Sequence, residues 1–372
     1  MNNALDYIRW RGDLPLAECA PNEVDYLIFS ELVYAPLERC NNESGSLDGE
    51  GPSLISIFEK VFPEPLPKNA SYVFRPRYDV WSLMADHRRF AEVRLDHFMS
   101  NFEPENDKQF AAAVFSYGSG AERTAVVAFR GTDSTVTGWK EDFNMAYKSP
   151  IPAQTDSVAF LNEVISSGTY ENITVCGHSK GGNLAMYSAA MCNAPDRIKA
   201  VYSFDGPGLP ASVLQSDGWK AIEGLIHSYI PESSVIGLLL GNTTHPVVVK
   251  SESVSLMQHN PFHWHVMGPI FLRSEETTIS SRFLDGTLHQ FLSSCTVEQT
   301  ETLVKTVFEL IEISGAFKVR DIVKGLVKKI PQVKRKISEI PEADREVLRQ
   351  LLHLLVGSGN KTLKLMFSEK KD

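Results

Sequence analysis

The chain has 372 residues, of which 43% are hydrophobic and 22% are charged, and its formal net charge is −9 at pH 7. This composition is typical of a globular protein with a sizeable core, and it excludes collagen-like, disordered and membrane-embedded classes. A general nucleic-acid-binding role is also not expected, because binding phosphates requires a basic face.

The beginning of the chain, MNNALDYIRWRGDLPL, carries charges where a signal peptide would need an apolar stretch, and no run of about 18 apolar residues follows. The five cysteines are scattered without CxxC spacing, which predicts neither a disulfide framework nor a zinc cluster. We therefore expect a cytoplasmic protein without a transmembrane helix, and one that needs no metal or cofactor.

The N-terminal part of the chain is expected to be helical. Apolar residues recur at helical spacing within VDYLIFSELVYAPLE, and we interpret residues 1–65 as a helical segment that packs on the core. Residues 66–108 are predicted to be mostly helical. The two apolar runs FAAAVFSY and TAVVAFRGTD, joined by a turn that contains glycine, predict a β-hairpin.

The middle of the chain alternates between strands and helices. The strands NITVCG, IKAVYSF and GLIHSYI alternate with helical stretches of about 10 to 15 residues, and the strand HPVVVKSES follows GLIHSYI. This alternation predicts an α/β fold with a mostly parallel sheet covered on both faces, in which functional groups gather at the carboxyl ends of the strands. We assign residues 66–295 to this core.

Residues 296–372 are expected to form a helical C-terminal extension, with helices over EQTETLVKTVFELIEI, VRDIVKGLVKKI and PEADREVLRQLLHLLV. Residues 318–336 hold eight Lys or Arg against one Asp. A basic amphipathic helix of this kind more often packs its apolar face on the protein, and the alternative is peripheral contact with an anionic membrane.

The segment ITVCGHSKGGNLAMY places Ser179 between a buried strand and a helix. This is the setting of a nucleophile elbow, and a turn that tight leaves no room for a Cβ at Gly177 or Gly181. The alternative is a serine that only caps the following helix. His178 is expected to have a packing role.

A serine nucleophile needs a base and an acid. The segment SLMQHNPFHWHV, after the last strand, offers His259, His263 and His265, and His259 lies in a polar loop that suits a residue projecting over a site. The spacing HxxxHxH also allows a metal site, although no carboxylate or cysteine stands close by in the sequence to complete it.

Two loops compete for the acid. Asp205 in FDGPG follows the strand after the nucleophile helix, and Glu232 in SYIPESS follows the next strand. Either carboxylate could hold an imidazole in the required tautomer. The alternative role for Asp205 is to bond the backbone of its own turn.

The first donor of an oxyanion hole would be the backbone N–H of Lys180, the residue after the nucleophile. The second would be Thr132, which lies at the end of the strand in FRGTD and offers both its backbone N–H and its hydroxyl. For the side chain of Lys180 we favour an ion pair with a carboxylate such as Asp133. The alternatives are binding of an acidic group of the substrate and simple exposure to solvent.

These motifs resemble those of class 3 lipases, whose pattern is FRGT or FRGS, a downstream Trp and Asp, and then GHSLGG. The chain more closely resembles a bacterial family of uncharacterised lipase-like α/β-hydrolases, in which FRGTD, GWKEDF, GHSKGGNLA, FDGPG, IGLLL-like and QH-containing segments recur in this order over about residues 20–295.

The resemblance implies an α/β-hydrolase fold with Ser179 as nucleophile, His259 as base, and Thr132 and the Lys180 amide as oxyanion donors. Class 3 lipases place an aspartate in the loop where this chain has Glu232, whereas the closer family shares FDGPG, which favours Asp205. The polar stretch after FRGTD does not predict the apolar lid of an interfacial lipase.

We therefore expect a serine hydrolase that cleaves a carboxylic ester, with lipids or acylglycerols as one candidate class, through an acyl-enzyme. One alternative is a catalytically silent protein of the same fold that binds a ligand or partner. Another is a thioesterase or peptidase that uses the same serine.

Overall fold

The structure, a computed structural model, describes residues 2–40, 47–48, 51–66, 74–238, 240, 245–253, 255–278, 296–317, 321–340 and 345. The chain forms two compact units. The first comprises Met1–Phe102, Phe110–Gly131 and Pro152–His289, and the second comprises Glu103–Gln109, Thr132–Ile151 and Gln290–Asp372. The predicted domain boundaries near residues 65 and 295 stay predictions.

Four helices precede the sheet in the described part of the first unit: α1 (Ala4–Arg11), α2 (Glu23–Leu32), α3 (Leu54–Val61) and α4 (Phe74–Ala85). Helices α1 and α2 each begin with a capping box, which satisfies backbone N–H groups that have no partner within the helix. The helix expected within VDYLIFSELVYAPLE is confirmed as α2, and nearly all of its residues are buried.

The expectation that residues 66–108 are mostly helical is wrong for their last part. Helix α4 is followed by strand β1 (Arg94–Glu103), which lies beside β2 (Lys108–Tyr117). The segment RLDHFMSNFE lacks the strict alternation and the β-branched residues that announce a strand. Its conformation follows from pairing with β2, a tertiary contact that local pattern does not show.

Within the described residues, seven strands form one sheet in the order of the chain: β1, β2, β3 (Thr124–Phe129), β4 (Asn172–His178), β5 (Ile198–Phe204), β6 (Ile226–Pro231) and β7 (Val247–Val249). The predicted hairpin is confirmed, since β2 and β3 pair antiparallel with Ala113 opposite Ala128. From β3 to β7 the strands are parallel.

Helices α6 (Pro152–Ser166), α7 (Lys180–Met191), α8 (Ala211–Leu214) and α9 (Asp217–Ile222) lie in the connections between the parallel strands. Each of these connections is expected to be a right-handed crossover, and because successive strands are added on the same side of the sheet, the crossovers place their helices on the same face of the sheet. Helix α2 packs on β3, β4 and β5, and its Phe29 ring lies 5.7 Å from that of Phe115 on β2. The predicted class is confirmed: a mostly parallel sheet flanked by helices, consistent with an α/β-hydrolase fold.

After β7 the chain forms two 3₁₀ turns, Ser255–His259 and Pro261–His263, and a hairpin of β8 (Val266–Met267) and β9 (Ile270–Phe271). These turns carry two of the histidines singled out in the sequence.

In the second unit, α5 (Val136–Asn144), α10 (Val297–Ser314), α11 (Ile322–Lys328) and α12 (Ile330–Ser338) are helical. Ile322 and Leu326 of the basic segment are buried against apolar residues of α10, while Lys324 and Lys328 are exposed. Membrane contact through residues 318–336 stays a prediction. The helix expected over residues 341–356 lies outside the described residues except for Arg345.

Within the described ranges, no helix combines the length and the apolarity that crossing a bilayer requires. The predicted cellular compartment stays a prediction.

Candidate active site

Ser179 is the single residue between the end of β4 and the start of α7. Its backbone has φ 60° and ψ −133°, a conformation that a residue with a side chain rarely adopts. The hydroxyl of Ser179 makes no capping hydrogen bond to α7, so the alternative of a serine that serves as a cap is not supported. The backbone N–H of Ser179 donates to the carbonyl of Phe204 on β5 over 2.9 Å, which ties the turn to the neighbouring strand.

The two glycines of the turn are required by close backbone contacts. A Cβ at Gly177 would lie 2.1 Å from the carbonyl oxygen of Gly181, and a Cβ at Gly181 would lie 2.1 Å from the carbonyl oxygen of Phe129 on β3. Neither neighbour can move aside cheaply because both are main-chain atoms. The steric reason predicted for these glycines is confirmed.

His259 is paired with Asp205. Its Nδ1 lies 2.7 Å from Oδ2 of Asp205, which directly follows β5 and is buried. A carboxylate can only accept, so Nδ1 carries the proton and Nε2 of the neutral ring is the atom able to accept one. The side chain of His259 retains 29% of its exposure and that of Asp205 retains 1%.

The second oxygen of Asp205 is held by two donors that were not among the predicted site residues. Oδ1 accepts from the hydroxyl of Ser234 over 2.5 Å and from the backbone N–H of Gly237 over 3.1 Å. A Cβ at Gly237 would lie 2.5 Å from that oxygen. Both donors lie in segments that the sequence analysis had already noted: Ser234 is in SYIPESS and Gly237 is in IGLLL. These segments could have indicated the two donors.

Asn183 on α7 fastens the loop that carries Asp205. Its Nδ2 donates to the carbonyl of Gly208 over 2.7 Å and to that of Pro207 over 3.3 Å, and its Oδ1 accepts from Nε2 of Gln154 over 2.9 Å. Asn183 is fully buried. The FDGPG loop is therefore bonded to the same helix that begins immediately after Ser179.

Glu232 has other partners. Its carboxylate accepts from the hydroxyl of Ser274 over 2.6 Å, and its backbone N–H donates to the carbonyl of Val249 over 3.1 Å. Of the two candidate acids, Asp205 is the one whose carboxylate contacts His259. The acid's catalytic role stays a prediction.

The metal alternative for the histidine cluster gains no support. Nδ1 of His263 lies 3.2 Å from Glu252, and the backbone N–H of His265 donates to the carbonyl of Lys250. In the part of the chain that the structure describes, no group of three or more His, Cys, Asp or Glu side chains is arranged to hold a metal ion.

Lys180 begins α7, so its backbone N–H belongs to the first helical turn, where N–H groups point away from the helix. Its side chain is buried, with 1% exposure, and the alternative in which it reaches solvent is therefore wrong. The predicted ion pair with Asp133 stays a prediction.

Thr132 directly follows Gly131, and its hydroxyl donates to Oδ2 of Asp142 over 2.5 Å. This bond uses the single proton of the hydroxyl. The backbone N–H of Thr132 is then the group to which the predicted role as an oxyanion donor applies. That role stays a prediction.

His178 has the packing role expected of it and also specific polar contacts. Its Nε2 lies 2.8 Å from the main-chain carbonyl of His259, and the two imidazole rings are 4.7 Å apart. Its Nδ1 lies 3.0 Å from Oε1 of Glu31, the penultimate residue of α2. The other carboxylate oxygen of Glu31 accepts from Nε of Arg77 over 2.7 Å.

The environment changes the acidity of both groups in this contact. Burial raises the pKa of Glu31, but Arg77 and His178 outweigh this effect and hold the pKa below its ordinary value. Burial lowers the pKa of His178, and the nearby Glu31 opposes this shift only in part. Any proton that the pair takes up would lie between Nδ1 of His178 and Oε1 of Glu31.

Tyr34 makes a second link from the N-terminal part of the chain to the turn. Its hydroxyl donates to the carbonyl of His178 over 3.3 Å and accepts from the backbone N–H of Gly131 over 3.0 Å. The guanidinium of Arg77 lies 3.7 Å above its ring. Burial raises the pKa of Tyr34, so its hydroxyl keeps the proton that it donates.

Sequence reasoning missed Glu31, Tyr34 and Arg77. The available signal was the acidic residue in FSELVY, which lies within an otherwise apolar and buried helical run. A buried carboxylate requires a partner, and the sequence does not show which one.

Comparison with known proteins places the chain in a family. Residues 84–309, more than half of the chain, match the model of the Mbeg1-like family, and the chain belongs to that family. The expected relation to a lipase-like family of uncharacterised function is confirmed.

Among solved structures, the chain is similar to the crystal structure of M37 lipase, with a TM-score of 0.34 and 17% sequence identity over 58% of this chain and 69% of that chain. No curated protein sequence matches the chain.

Proposed function

We propose that this protein is a serine hydrolase that cleaves a carboxylic ester through an acyl-enzyme, with Ser179 as nucleophile, His259 as general base and Asp205 as the acid that orients it. The observation that carries the proposal is the 2.7 Å contact between Nδ1 of His259 and the buried carboxylate of Asp205, beside a serine in a strained turn. Membership of a lipase-like family supports the same class of chemistry.

The reaction follows from the proton positions. Oγ of Ser179 attacks the ester carbonyl while its proton passes to Nε2 of His259, and Asp205 stabilises the imidazolium that forms. His259 then returns the proton to the leaving alcohol as the C–O bond of the ester breaks. A water molecule, deprotonated by the same nitrogen, attacks the acyl-enzyme and releases the acid and the serine.

The oxyanion of each tetrahedral intermediate would be stabilised by the N–H of Lys180 and by that of Thr132. The first lies at the N-terminus of α7, where the helix dipole also favours negative charge. Donors of this kind contribute about 3 kcal/mol each to transition-state stabilisation.

The proposed substrates are carboxylic esters, with lipid esters as the leading class. The support for lipid esters is the order of motifs FRGTD, GHSKGG and FDGPG, which resembles that of lipase-like hydrolases. The polar stretch after FRGTD favours small or dispersed esters over an emulsified substrate.

A fluorophosphonate probe tests the proposal because it reacts with activated serines without requiring knowledge of the substrate. We expect labelling of the full chain that is lost in Ser179→Ala and strongly reduced in His259→Ala. The matched control is His263→Ala, a nearby histidine that pairs with Glu252 instead of Asp205 and whose loss should leave labelling unchanged.

Well-folded wild-type protein that is not labelled between pH 6 and pH 9 would overturn the proposal in favour of a silent ligand-binding protein. If labelling occurs, a panel of oxygen esters, thioesters and amides distinguishes an esterase from a thioesterase or a peptidase.

A further inference from the structure

We propose that His178 is a positioning residue for His259, and that Glu31 of helix α2 holds the ring of His178 in the orientation that this role requires. The inference rests on the proposed function, since it concerns the base of the same site. It adds to that site a buried chain of contacts from Arg77 through Glu31 and His178 to the main chain of His259.

The hydrogen bond between His178 and the main chain of His259 has a defined direction. A main-chain carbonyl can only accept, so the short contact of 2.8 Å requires that Nε2 of His178 carries a proton and donates it. This assigns the tautomer of His178. Its other nitrogen, Nδ1, lies 3.0 Å from Oε1 of Glu31, and because a carboxylate can only accept, this contact holds the ring when a proton lies between the two atoms.

This bond gives His259 a second anchor. Its side chain is held at Nδ1 by Asp205, and its main-chain carbonyl is held by His178. One anchor on the ring and one on the backbone restrain the rotation of a residue at the end of a short 3₁₀ turn. Because His178 directly precedes Ser179, the second anchor also sets the distance between the base and the nucleophile.

Burying these charged side chains is unfavourable in free energy. The side chains of Glu31 and His178 are buried, with 1% and 5% exposure, and that of Arg77 with 13%. Burying a carboxylate is unfavourable unless it is paired. Oε2 of Glu31 accepts a hydrogen bond from Arg77, whereas Oε1 has only the 3.0 Å contact with Nδ1 of His178, which lacks hydrogen-bond geometry. An apolar side chain would fill this position in α2 without that cost. We therefore attribute the charge of Glu31 to its contact with the ring of His178.

Glu31 and Arg77 precede the region 84–309 that matches the family model. The part of the chain that precedes residue 84 therefore does more than cover the sheet. It supplies the groups that hold His178 and, through Tyr34, the carbonyl of the same residue.

Two substitutions of His178 separate positioning from packing. The side-chain amide nitrogen of glutamine reaches about as far from the backbone as Nε2 of histidine, whereas that of asparagine reaches about as far as Nδ1. His178→Gln can therefore still donate to the carbonyl of His259, and His178→Asn can face only Glu31.

We measure the rate constant for fluorophosphonate labelling of Ser179 and kcat/KM for an ester, both with the full chain. A base displaced by a fraction of an ångström to one ångström costs up to about a hundredfold in rate. We expect a loss of about tenfold or more, expressed in kcat, for His178→Asn, and a rate within a few-fold of wild type for His178→Gln.

The link to Glu31 is tested with its own pair. Glu31→Gln keeps an oxygen for Arg77 and a polar group toward Nδ1 and should stay close to wild type, whereas Glu31→Ala leaves the ring of His178 unheld and should resemble His178→Asn. Thermal unfolding of each variant shows how much of the protein is folded, and rates are compared per folded molecule. This second pair also keeps the inference testable if His178→Asn does not fold.

The inference is overturned if His178→Asn and Glu31→Ala are labelled at the wild-type rate, or if the glutamine variants lose as much rate as their partners. Failure of the proposed function gives a different result, since the wild type itself would then not be labelled at Ser179.

Discussion

Replacing Asp205 by asparagine exchanges one oxygen for an NH₂ group, and the structure determines where that group goes. The oxygen at Oδ1 accepts from the hydroxyl of Ser234 and the N–H of Gly237. An NH₂ group there would face two donors, so the asparagine keeps its oxygen at Oδ1 and points its NH₂ at Nδ1 of His259. The ring must then accept at Nδ1 and carry its proton on Nε2, which is the wrong tautomer for a base.

The size of the effect follows from the same contacts. Flipping the amide to restore the correct tautomer would replace the acceptor shared by the hydroxyl of Ser234 and the N–H of Gly237 with an NH₂ group, at a cost of about 2 kcal/mol. This limits the flipped form to about 3% of molecules, since each 1.36 kcal/mol is a factor of ten. We expect kcat/KM to fall at least about thirtyfold, with an upper bound of about ten-thousandfold for complete loss of the correct tautomer.

The assay is ester hydrolysis together with the rate of fluorophosphonate labelling, and the matched control is Glu232→Gln. Glutamine at 232 can still accept from the hydroxyl of Ser274, so its rate should stay within a few-fold of wild type. Unchanged activity in a folded Asp205→Asn variant would refute the reasoning. An equal loss in Glu232→Gln would refute it as well.

Three further predictions concern stability and reactivity. Gly181→Ala should lower the free energy of unfolding, measured in urea, by at least about 2 kcal/mol, because the new Cβ would lie 2.1 Å from the carbonyl oxygen of Phe129. Gly224→Ala is the control, since no atom lies within 4 Å of its Cβ, and it should change the free energy of unfolding little. Equal effects of the two substitutions would contradict the steric argument. The pKa of Glu31 is lowered despite its burial, so its charge stabilises the fold above its ordinary pKa of about 4.5, and this stabilisation is lost as the pH falls through the folded-state pKa. Between pH 5 and pH 3 the wild type should therefore lose more unfolding free energy than Glu31→Gln, and parallel losses would rule this out. Burial raises the pKa of Cys176 to about 12, so iodoacetamide at pH 8 should leave this thiol unmodified in the native protein and alkylate it in urea. Peptide mass spectrometry measures the modification, and alkylation of Cys176 in the native protein would disprove its burial.

The features that depend on neighbours in the chain were predictable from sequence. The elbow is one example, because Gly177, Ser179 and Gly181 lie within one turn and the steric demand acts between adjacent residues. The parallel strands β4 to β6 are another, since their apolar runs are short and separated by helical stretches. Strand β1 was missed because RLDHFMSNFE has no local strand pattern and takes its conformation from pairing with β2.

The acid illustrates what the sequence left open. Asp205 and Glu232 each follow a strand and precede a turn, and both satisfy the expected chain order. The order of the strands distinguishes the two candidates. Asp205 follows β5, which lies next to β4, whereas Glu232 follows β6, which lies one strand further from β4, a difference of about 4.8 Å. Asp205 thus stands beside the strand that carries the nucleophile turn, and its loop is bonded to α7 through Asn183.

The sequence by itself determined which residue types occur at which strand ends, and therefore the fold class, the nucleophile candidate and a short set of possible bases and acids. Tertiary structure alone decided which of these side chains meet. His259 contacts Asp205, and His178 contacts Glu31, because strand order and the packing of α2 bring together groups far apart in the chain. Local patterns report the conformation of a segment, whereas a contact between segments depends on the arrangement of the whole sheet.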